Sequence, residues 1–265
     1  MTDYICNLVI PGAPKSGTSS LHDLLDQHPD INMGKPKEPQ HFSFDDLYEG
    51  GAAVHNTLFK NDKSCRYHGE SSQCYMFHPV AMRRIKENLS APKIILLLRH
   101  PVARLWSQYQ WNYRRAIERA PLMQALIERG EDTGYNFNPV TRMYHVNGGY
   151  LSASRYAHWV PLWRDTFGEN NVLVLRTEDL GADTARVMAR CFAFLDIAQI
   201  DIEDRPRRNV TNRTVRIPPA PIVRMERSMP GFIRWSRLYQ APRWRLLRAF
   251  TPEPPAAMSP EENDS

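Results

Sequence analysis

The chain has 265 residues, and its 34 Lys and Arg against 29 Asp and Glu give a formal net charge of +5. That length suits one large α/β domain with a sizeable core, and the basic balance favours anionic ligands while leaving nucleic acid, a nucleotide cofactor and an acidic polysaccharide open. The apolar runs fall well short of the roughly 20 residues that a membrane-spanning helix needs, and the four scattered cysteines lack metal-binding spacing, which argues against a membrane span and a zinc site.

The first predicted element is a short buried strand over residues 4–11, followed by a loop over residues 12–20 and a helix. Leu21, Leu24 and Leu25 recur at helical spacing after a cluster of hydroxyl residues that can cap a helix. A loop that ends at a helix N-terminus binds anions, because the first amides lack intrahelical partners and the helix dipole adds partial positive charge. Further hydrogen-bond donors in this loop are Lys15, Ser16, Thr18 and Ser19.

The residue order in this loop differs from the nucleotide loop of common NTPases, Gly-x-x-x-x-Gly-Lys-Ser/Thr, in which the lysine follows the second glycine. Here Lys15 precedes Gly17. The order Pro-Lys-Ser-Gly-Thr directly after an N-terminal strand resembles the 5′-phosphosulfate loop of sulfotransferases that use 3′-phosphoadenosine 5′-phosphosulfate (PAPS). The resemblance implies that Lys15, Ser16, Gly17, Thr18 and Ser19 contact the sulfuryl donor. The alternative is an ordinary strand-to-helix turn in which Gly17 relieves backbone strain.

Prolines and charges make residues 29–50 a predicted loop-rich segment, with Lys-Pro-Lys-Glu-Pro-Gln-His-Phe at positions 35–42. Glu38 is a candidate acid/base group, because the neighbouring lysines favour its ionised form whereas burial against phenylalanine opposes it. The sequence Glu-Pro-Gln-His-Phe resembles that of carbohydrate sulfotransferases, which use a glutamate base at this position. It is less similar to the cytosolic phenol and steroid members, whose histidine base lies further along the chain. His41 is the rival base, and a structural hydrogen bond is its alternative role.

The unbroken apolar run at residues 93–98 predicts a strand that is covered on both faces in a parallel sheet. A second strand is expected within residues 65–77, before it in the chain. Arg99 follows the run at 93–98 and should lie at the carboxyl edge, where open α/β sheets bind ligands. A long helix follows, and Ser107 stands on it eight residues after Arg99.

This Arg-Ser pair in a strand-turn-helix setting resembles the second sulfotransferase motif, which grips the 3′-phosphate of the donor. An arginine fork and a hydroxyl can together hold a phosphate dianion. Taken singly, Arg99 also fits a strand-end ion pair and Ser107 a hydroxyl on the helix surface.

The second half of the chain carries weaker signals. Residues 118–150 are predicted to be irregular, either as an acceptor-binding insert or as a surface loop. A helix is expected to open at residues 149–151 and to place the aromatic side chains of Tyr156, Trp159, Trp163 and Phe167 in the core. A parallel strand is expected at 171–176. In sulfotransferases a basic segment at the position of residues 205–214 closes over the adenine and the 3′-phosphate. The resemblance therefore makes candidates of Arg208, Asn209 and Arg213.

Together these features predict an α/β fold with a central parallel sheet flanked by helices and a P-loop-like strand-loop-helix. We expect one sulfotransferase domain over residues 1–250 and a disordered acidic tail over residues 251–265. Residues 217–250 suit a packed terminal helix, a partner surface or a lid over the acceptor. The chain shows no charged region followed by an apolar core before its first strand, which predicts a cytoplasmic protein without a secretory signal.

The resemblance implies in-line transfer of a sulfuryl group from PAPS to a hydroxyl or amine of a carbohydrate or small metabolite, with adenosine 3′,5′-bisphosphate (PAP) as product. Glu38 would act as base, Lys15 would neutralise the leaving phosphate, and no metal is expected. One alternative is a metal-dependent nucleotide kinase or NTPase, which needs a magnesium carboxylate where Arg99 ends the strand. The other alternative is a non-enzymatic protein that binds nucleic acid. We do not expect nucleic acid as a partner. The acceptor and the oligomeric state stay open.

Overall fold

A computed structural model describes residues 3–59, 65–114, 118, 120–131, 136–138, 143–145 and 149–203. The described residues fall into two compact units. The first consists of the residues up to Arg104 together with those from Ala153 onward, and the second spans Leu105–Ser152. None of the helices in these ranges combines the length and the apolar composition that crossing a bilayer requires.

The strands are β1 Leu8–Gly12, β2 Ile31–Met33, β3 Tyr67–Ser71, β4 Lys93–Leu98, β5 Asn136–Asn138, β6 Met143–His145 and β7 Val172–Arg176. The α-helices are α1 Thr18–Leu25, α2 Asp45–Tyr48, α3 Gly51–His55, α4 Pro79–Asn88, α5 Pro101–Arg114, α6 Leu122–Arg129, α7 Tyr156–Phe167, α8 Thr177–Ala182 and α9 Thr184–Leu195.

The strands of the first unit form one parallel sheet in the order β2-β3-β1-β4-β7, with β1 at its centre. Leu8 of β1 lies opposite Gly69 of β3 on one side and Lys93 of β4 on the other. The chain adds β2 and β3 on one side of β1 and later adds β4 and β7 on the other, so the strand order reverses between β1 and β4. Ligands of open α/β sheets bind at the carboxyl ends of the strands beside such a reversal.

The sheet is buried on both faces, which explains why its central strands are apolar without alternation. Leu8 and Ile95 are fully buried, and so are Val9 and Ile94, whose side chains point to the opposite face. The predicted α/β class with a central parallel sheet flanked by helices is confirmed. One hydrophobic cluster packs α1 and α9 against the sheet and contains Leu8, Ile10, Leu21, Leu24, Leu25, Ile31, Met33, Tyr67, Ile95, Leu97, Leu175, Leu180, Val187, Met188, Cys191, Phe192 and Leu195.

The second unit is more regular than the sequence indicated. Residues 118–150 were predicted to be irregular, yet they contain the helix α6 and the antiparallel hairpin of β5 and β6. Buried Glu118 organises the described part of this region, because it pairs with the Arg129 guanidinium and accepts a hydrogen bond from Tyr150 Oη at 3.3 Å. Such a buried polar network is invisible to hydrophobic periodicity, which explains why the prediction was wrong.

Two strand predictions need correction. The first strand begins at Leu8 rather than at Tyr4, because Tyr4 packs against the ring of His41 instead of joining the sheet. The strand β2 was not predicted at all. It has three residues and forms by pairing with β3, Ile31 opposite Tyr67, which is a contact between residues distant in the chain.

The helix α7 also begins later than predicted. The helix was expected to open at residues 149–151, but a 3₁₀ turn at Ser152–Ser154 comes first. Arg155 then interrupts the helical path with φ −81° and ψ 68°, and α7 starts at Tyr156. The expected core role of its aromatic face is confirmed for Trp159, Trp163 and Phe167, which are buried.

Candidate active site

The segment between β1 and α1 forms a tight loop at the carboxyl edge of the sheet. Ala13 N donates to Leu97 O of β4 at 2.8 Å, and Ser16 N donates to Ala13 O at 3.3 Å. Gly17 is the N-cap of α1 with φ 88°, a left-handed conformation that glycine adopts most readily. Ser20 N donates back to Gly17 O at 3.0 Å, so Thr18 and Ser19 form the first turn of α1 directly after the loop. The backbone is therefore that of an anion-binding helix N-terminus.

Thr177, the first residue of α8, fastens this loop to the end of β4. Its Oγ1 lies 2.5 Å from Ser16 O and 2.8 Å from Leu98 O. A β-carbon on Gly17 would come 3.7 Å from Thr177 Cγ2, which shows how closely the threonine packs against the loop. The local sequence does not reveal this contact, because a threonine at the start of a helix normally indicates a cap.

Arg99 follows β4 directly and contacts the same loop. Its Nη1 donates to Lys15 O at 3.2 Å, and both residues are half-buried. The two residues that the resemblance assigned to the two ends of one nucleotide thus lie at the same edge of the sheet. Ser107 is half-buried on α5, eight residues after Arg99.

Tyr156, which opens α7, lies beside the buried part of the loop. Burial raises the pKa of Tyr156, and the Arg104 guanidinium, the Arg99 backbone and the Ser16 side chain each act in the opposite direction. Ser16 itself is fully buried. The tyrosine was expected only as part of the core.

Glu38 lies on a second segment that meets the loop. Its carboxylate is held at both oxygens, since Lys37 Nζ binds Oε1 and the backbone N of Gln73 donates to Oε2 at 3.0 Å. Its own backbone N donates to Ser71 O at 3.0 Å. With φ 63° the residue is in the left-handed region, which marks a backbone conformation that its surroundings impose.

The chain that follows β3 holds this segment in register. Gln40 N donates to Ser72 Oγ at 3.0 Å, and Phe42 N donates to Tyr75 Oη at 3.1 Å. Ser71 extends the connection to the helix α1, because its Oγ lies 2.9 Å from Nδ1 of buried His22. The two segments that carry the anion loop and Glu38 are therefore both anchored to the carboxyl end of β3.

His41 lies only three residues after Glu38 but in a different environment. It is buried among aromatic rings, with its Nε2 3.0 Å from Tyr4 Oη and its ring centroid 4.8 Å from that of His55. Burial, followed by the charges of His55 and Arg84, lowers the pKa of His41 to about 3. Its imidazole is consequently neutral near neutral pH and occupied by a structural contact.

Comparison with known proteins identifies this arrangement. A family profile described as the sulfotransferase domain matches residues 7–216. The chain belongs to the sulfotransferase family. This match covers most of the chain and includes both the anion loop and the segment of Glu38, so the family that the sequence resemblance indicated is confirmed.

The relatives of this sulfotransferase include heparan sulfate enzymes. The chain is 22% identical over 206 residues to the bifunctional heparan sulfate N-deacetylase/N-sulfotransferase 1 of Caenorhabditis briggsae, covering 76% of this chain and 24% of the relative. It is 28% identical over 193 residues to the human heparan sulfate glucosamine 3-O-sulfotransferase 6, covering 72% and 52%. The chain thus spans about a quarter to a half of the length of these two relatives.

A solved structure resembles the protein over nearly its whole length. The crystal structure of a sulfotransferase from Alicyclobacillus acidocaldarius superposes with a TM-score of 0.65 and 26% sequence identity. The match covers 91% of this chain and 98% of that chain. The fold described above is therefore that of a sulfotransferase.

The structure brings most of the predicted site residues of this sulfotransferase to one edge of the sheet. These are Lys15, Ser16, Gly17, Thr18, Ser19, Glu38 and Arg99. Arg208, Asn209 and Arg213 lie outside the described residues, as do the segment 217–250 and the predicted tail. Within the described ranges, no group of three or more His, Cys, Asp or Glu side chains is placed to hold a metal ion.

Proposed function

We propose that this sulfotransferase moves the sulfuryl group of PAPS to a hydroxyl or amine of a carbohydrate acceptor, with Glu38 as the general base. The main support for this proposal is the contact between the anion loop and the segment that contains Glu38. Lys37, next to Glu38, reaches Oγ1 of Thr18 in the anion loop at 3.4 Å, while its ammonium also binds the Glu38 carboxylate. A carboxylate is therefore held beside the first turn of α1, where an anionic donor would bind.

The residues of the loop fit the phosphosulfate end of PAPS. The donor set consists of first-turn amides, a left-handed glycine without a side chain in the way, and a half-buried lysine. These groups suit a tetrahedral oxyanion, and the helix dipole adds to the attraction. Arg99 contributes a guanidinium fork at the same edge, which suits the 3′-phosphate.

The chemical step follows from these positions. Glu38 takes the proton of the acceptor hydroxyl or amine as the acceptor atom forms its bond to sulfur. The bond between sulfur and the bridging oxygen breaks at the same time, and both its electrons stay with the 5′-phosphate of PAP. Lys15 and the amides of the loop stabilise the charge that develops there. The loop residues thus bind and offset charge, and Glu38 moves the proton.

Glu38 suits the role of base better than His41. Glu38 is anchored next to the loop, and its side chain keeps 18% of its surface exposed, so an acceptor can approach it. His41 is 3% exposed, and the hydrogen bond to Tyr4 and the rings around it occupy its imidazole. A proton acceptor must reach the atom that it deprotonates, and only Glu38 has such access.

A carbohydrate is the acceptor class that the relatives favour. Two of them are named for the sulfation of heparan sulfate, one at nitrogen and one at a 3-hydroxyl. The net charge of +5 suits an acidic polysaccharide. We therefore propose a saccharide hydroxyl or amine as the recipient.

Nucleotide binding is tested by thermal unfolding with PAP and with AMP, which differ in the 3′-phosphate. PAP should raise the melting temperature clearly more than AMP does, because the Arg99 guanidinium is proposed to bind the extra phosphate. Arg99→Met should remove most of that difference. Equal protection by PAP and AMP in the unchanged protein would contradict the assignment of Arg99 to the 3′-phosphate.

Catalysis is tested by transfer of ³⁵S from PAPS to desulfated heparin, which offers both hydroxyls and amines. Glu38→Gln should keep the protection by PAP and lower turnover by about 10²-fold or more, the usual contribution of a general base. His41→Phe is the control and should retain most of the turnover. Full activity of Glu38→Gln would transfer the role of base to another group.

The same reagents distinguish the two alternative functions. Transfer that persists in excess EDTA contradicts a metal-dependent kinase, whereas turnover of ATP would support it. A nucleic-acid binder would bind DNA or RNA with a steep dependence on salt and would not discriminate PAP from AMP.

A further inference from the structure

Lys37 joins the two segments of the site but has no role in the chemical step proposed for Glu38 and Lys15. Its ammonium binds Oε1 of Glu38 and also reaches Thr18 Oγ1 at 3.4 Å, so it bridges the base and the first turn of α1. Its side chain keeps only 20% of its surface exposed. A lysine that is mostly buried between an acidic side chain and an anion loop has lost much of its hydration, and its partners must compensate for that loss.

The neighbouring lysine is a useful contrast. Lys35 lies two residues earlier and pairs with Asp26 at 2.9 Å, but its side chain is 66% exposed. It belongs to the ordinary class of surface ion pairs, which contribute little. Lys37 differs because both of its partners belong to the proposed reaction centre.

The charges at this junction create a conflict that a cation can resolve. In PAPS one negative charge of the 5′ end lies on the sulfuryl group, beyond the 5′-phosphate and next to the acceptor that Glu38 would deprotonate, whereas PAP carries this charge on the phosphate itself. Two like charges a few ångströms apart in a partly buried site repel each other strongly. The Glu38 carboxylate would therefore oppose binding of the donor unless a positive charge stands between them.

We infer that Lys37 is a positioning residue of the transfer site, which holds the Glu38 carboxylate beside the anion loop and screens it from the sulfuryl group of the donor. This inference rests on the proposed function and deepens it. Lys37 acts through Glu38, whereas Lys15 acts on the leaving phosphate. PAP lacks the sulfuryl group, so its binding does not require the screening charge.

The test compares the dissociation constants of PAPS and PAP by titration calorimetry without an acceptor. Lys37→Met should weaken the binding of PAPS by about tenfold more than the binding of PAP, because the unscreened negative charge of Glu38 then repels the sulfuryl group. Lys37→Arg keeps the positive charge and should therefore retain most of the PAPS affinity that Lys37→Met loses. Lys35→Met is the matched control and should leave both constants unchanged.

A double variant decides whether Lys37 acts through Glu38. In Lys37→Met with Glu38→Gln the excess loss of PAPS affinity should disappear, because no carboxylate remains to be screened. An excess that persists in the double variant would show that Lys37 binds the sulfuryl group directly and would overturn the inference. Equal weakening of PAPS and PAP, or no weakening of either, would overturn it as well.

These outcomes are separable from a failure of the proposed function. If the unchanged protein binds PAP no better than AMP, the nucleotide assignment fails before Lys37 is considered. The other case is an unchanged protein that binds PAP better than AMP. If the Lys37→Met variant then keeps its melting temperature and shows no excess loss of PAPS affinity, only the inference about Lys37 fails.

Discussion

Replacing Thr177 by valine should loosen the anion loop without leaving a cavity, because the two side chains have nearly the same shape. The hydroxyl lies 2.5 Å from Ser16 O and 2.8 Å from Leu98 O, which share its one hydrogen, and valine removes this donor. Loss of a buried hydrogen-bond partner costs about 1–3 kcal/mol. For a chain of this size the melting temperature should fall by about 2–12 °C.

The loop should suffer more than the rest of the protein. Since Ser16 O is no longer fixed to the end of β4, the amides of the first turn lose their preorganisation, and the affinity for PAP should fall by about tenfold. Thermal unfolding followed by tryptophan fluorescence measures the stability, and calorimetry measures the binding of PAP. Thr177→Ser keeps the hydroxyl and should bind PAP almost as the unchanged protein does.

The control for this prediction is Thr184→Val, at the start of α9. Thr184 Oγ1 donates to Leu180 O at 3.0 Å within its own helical region, so the same chemical change is made away from the loop. It should cost no more than about 0.5 kcal/mol and leave PAP affinity intact. Thr177 does not anchor the loop if Thr177→Val melts and binds PAP like the unchanged protein, or if both valine variants lose PAP affinity equally.

Two further predictions concern backbone strain and pH. Gly17→Ala should cost about 1–2 kcal/mol of stability and weaken PAP binding, because alanine is strained at φ 88° although its β-carbon meets only ordinary contacts. The control is Gly51→Ala, at φ 60° in open space, which should cost as much stability and leave PAP binding unchanged. Thermal shifts with and without PAP measure both effects. Because folding lowers the pKa of His41 from 6.5 to about 3, the unfolded chain binds the proton first as the pH falls. The contribution of His41 to stability is therefore present above pH 6.5 and is lost toward pH 3. His41→Phe should flatten the fall in melting temperature between pH 7 and 4.5, and an unchanged slope would contradict the low pKa of His41.

Local sequence determined the central strands and the loop that they display. The apolar run at Lys93–Leu98 has no alternation, and such a run is stable only where both faces are covered, so the strand and its parallel sheet could be predicted. The Pro-Lys-Ser-Gly-Thr order placed an anion loop before α1, because glycine and hydroxyl residues specify a turn and a helix start within a few positions.

Tertiary structure decided what each polar side chain does. Glu38 and His41 are three residues apart and both are plausible bases in the sequence, but Gln73 and Lys37 hold one beside the loop while aromatic rings bury the other. Thr177 became part of the site only because β7 lies next to β4. Hydrogen bonds between distant segments have no periodicity along the chain, whereas burial of a strand or a helix face does. For that reason the sequence by itself determined the sheet, the loop and the family, and only the folded chain decided which residues meet at its edge.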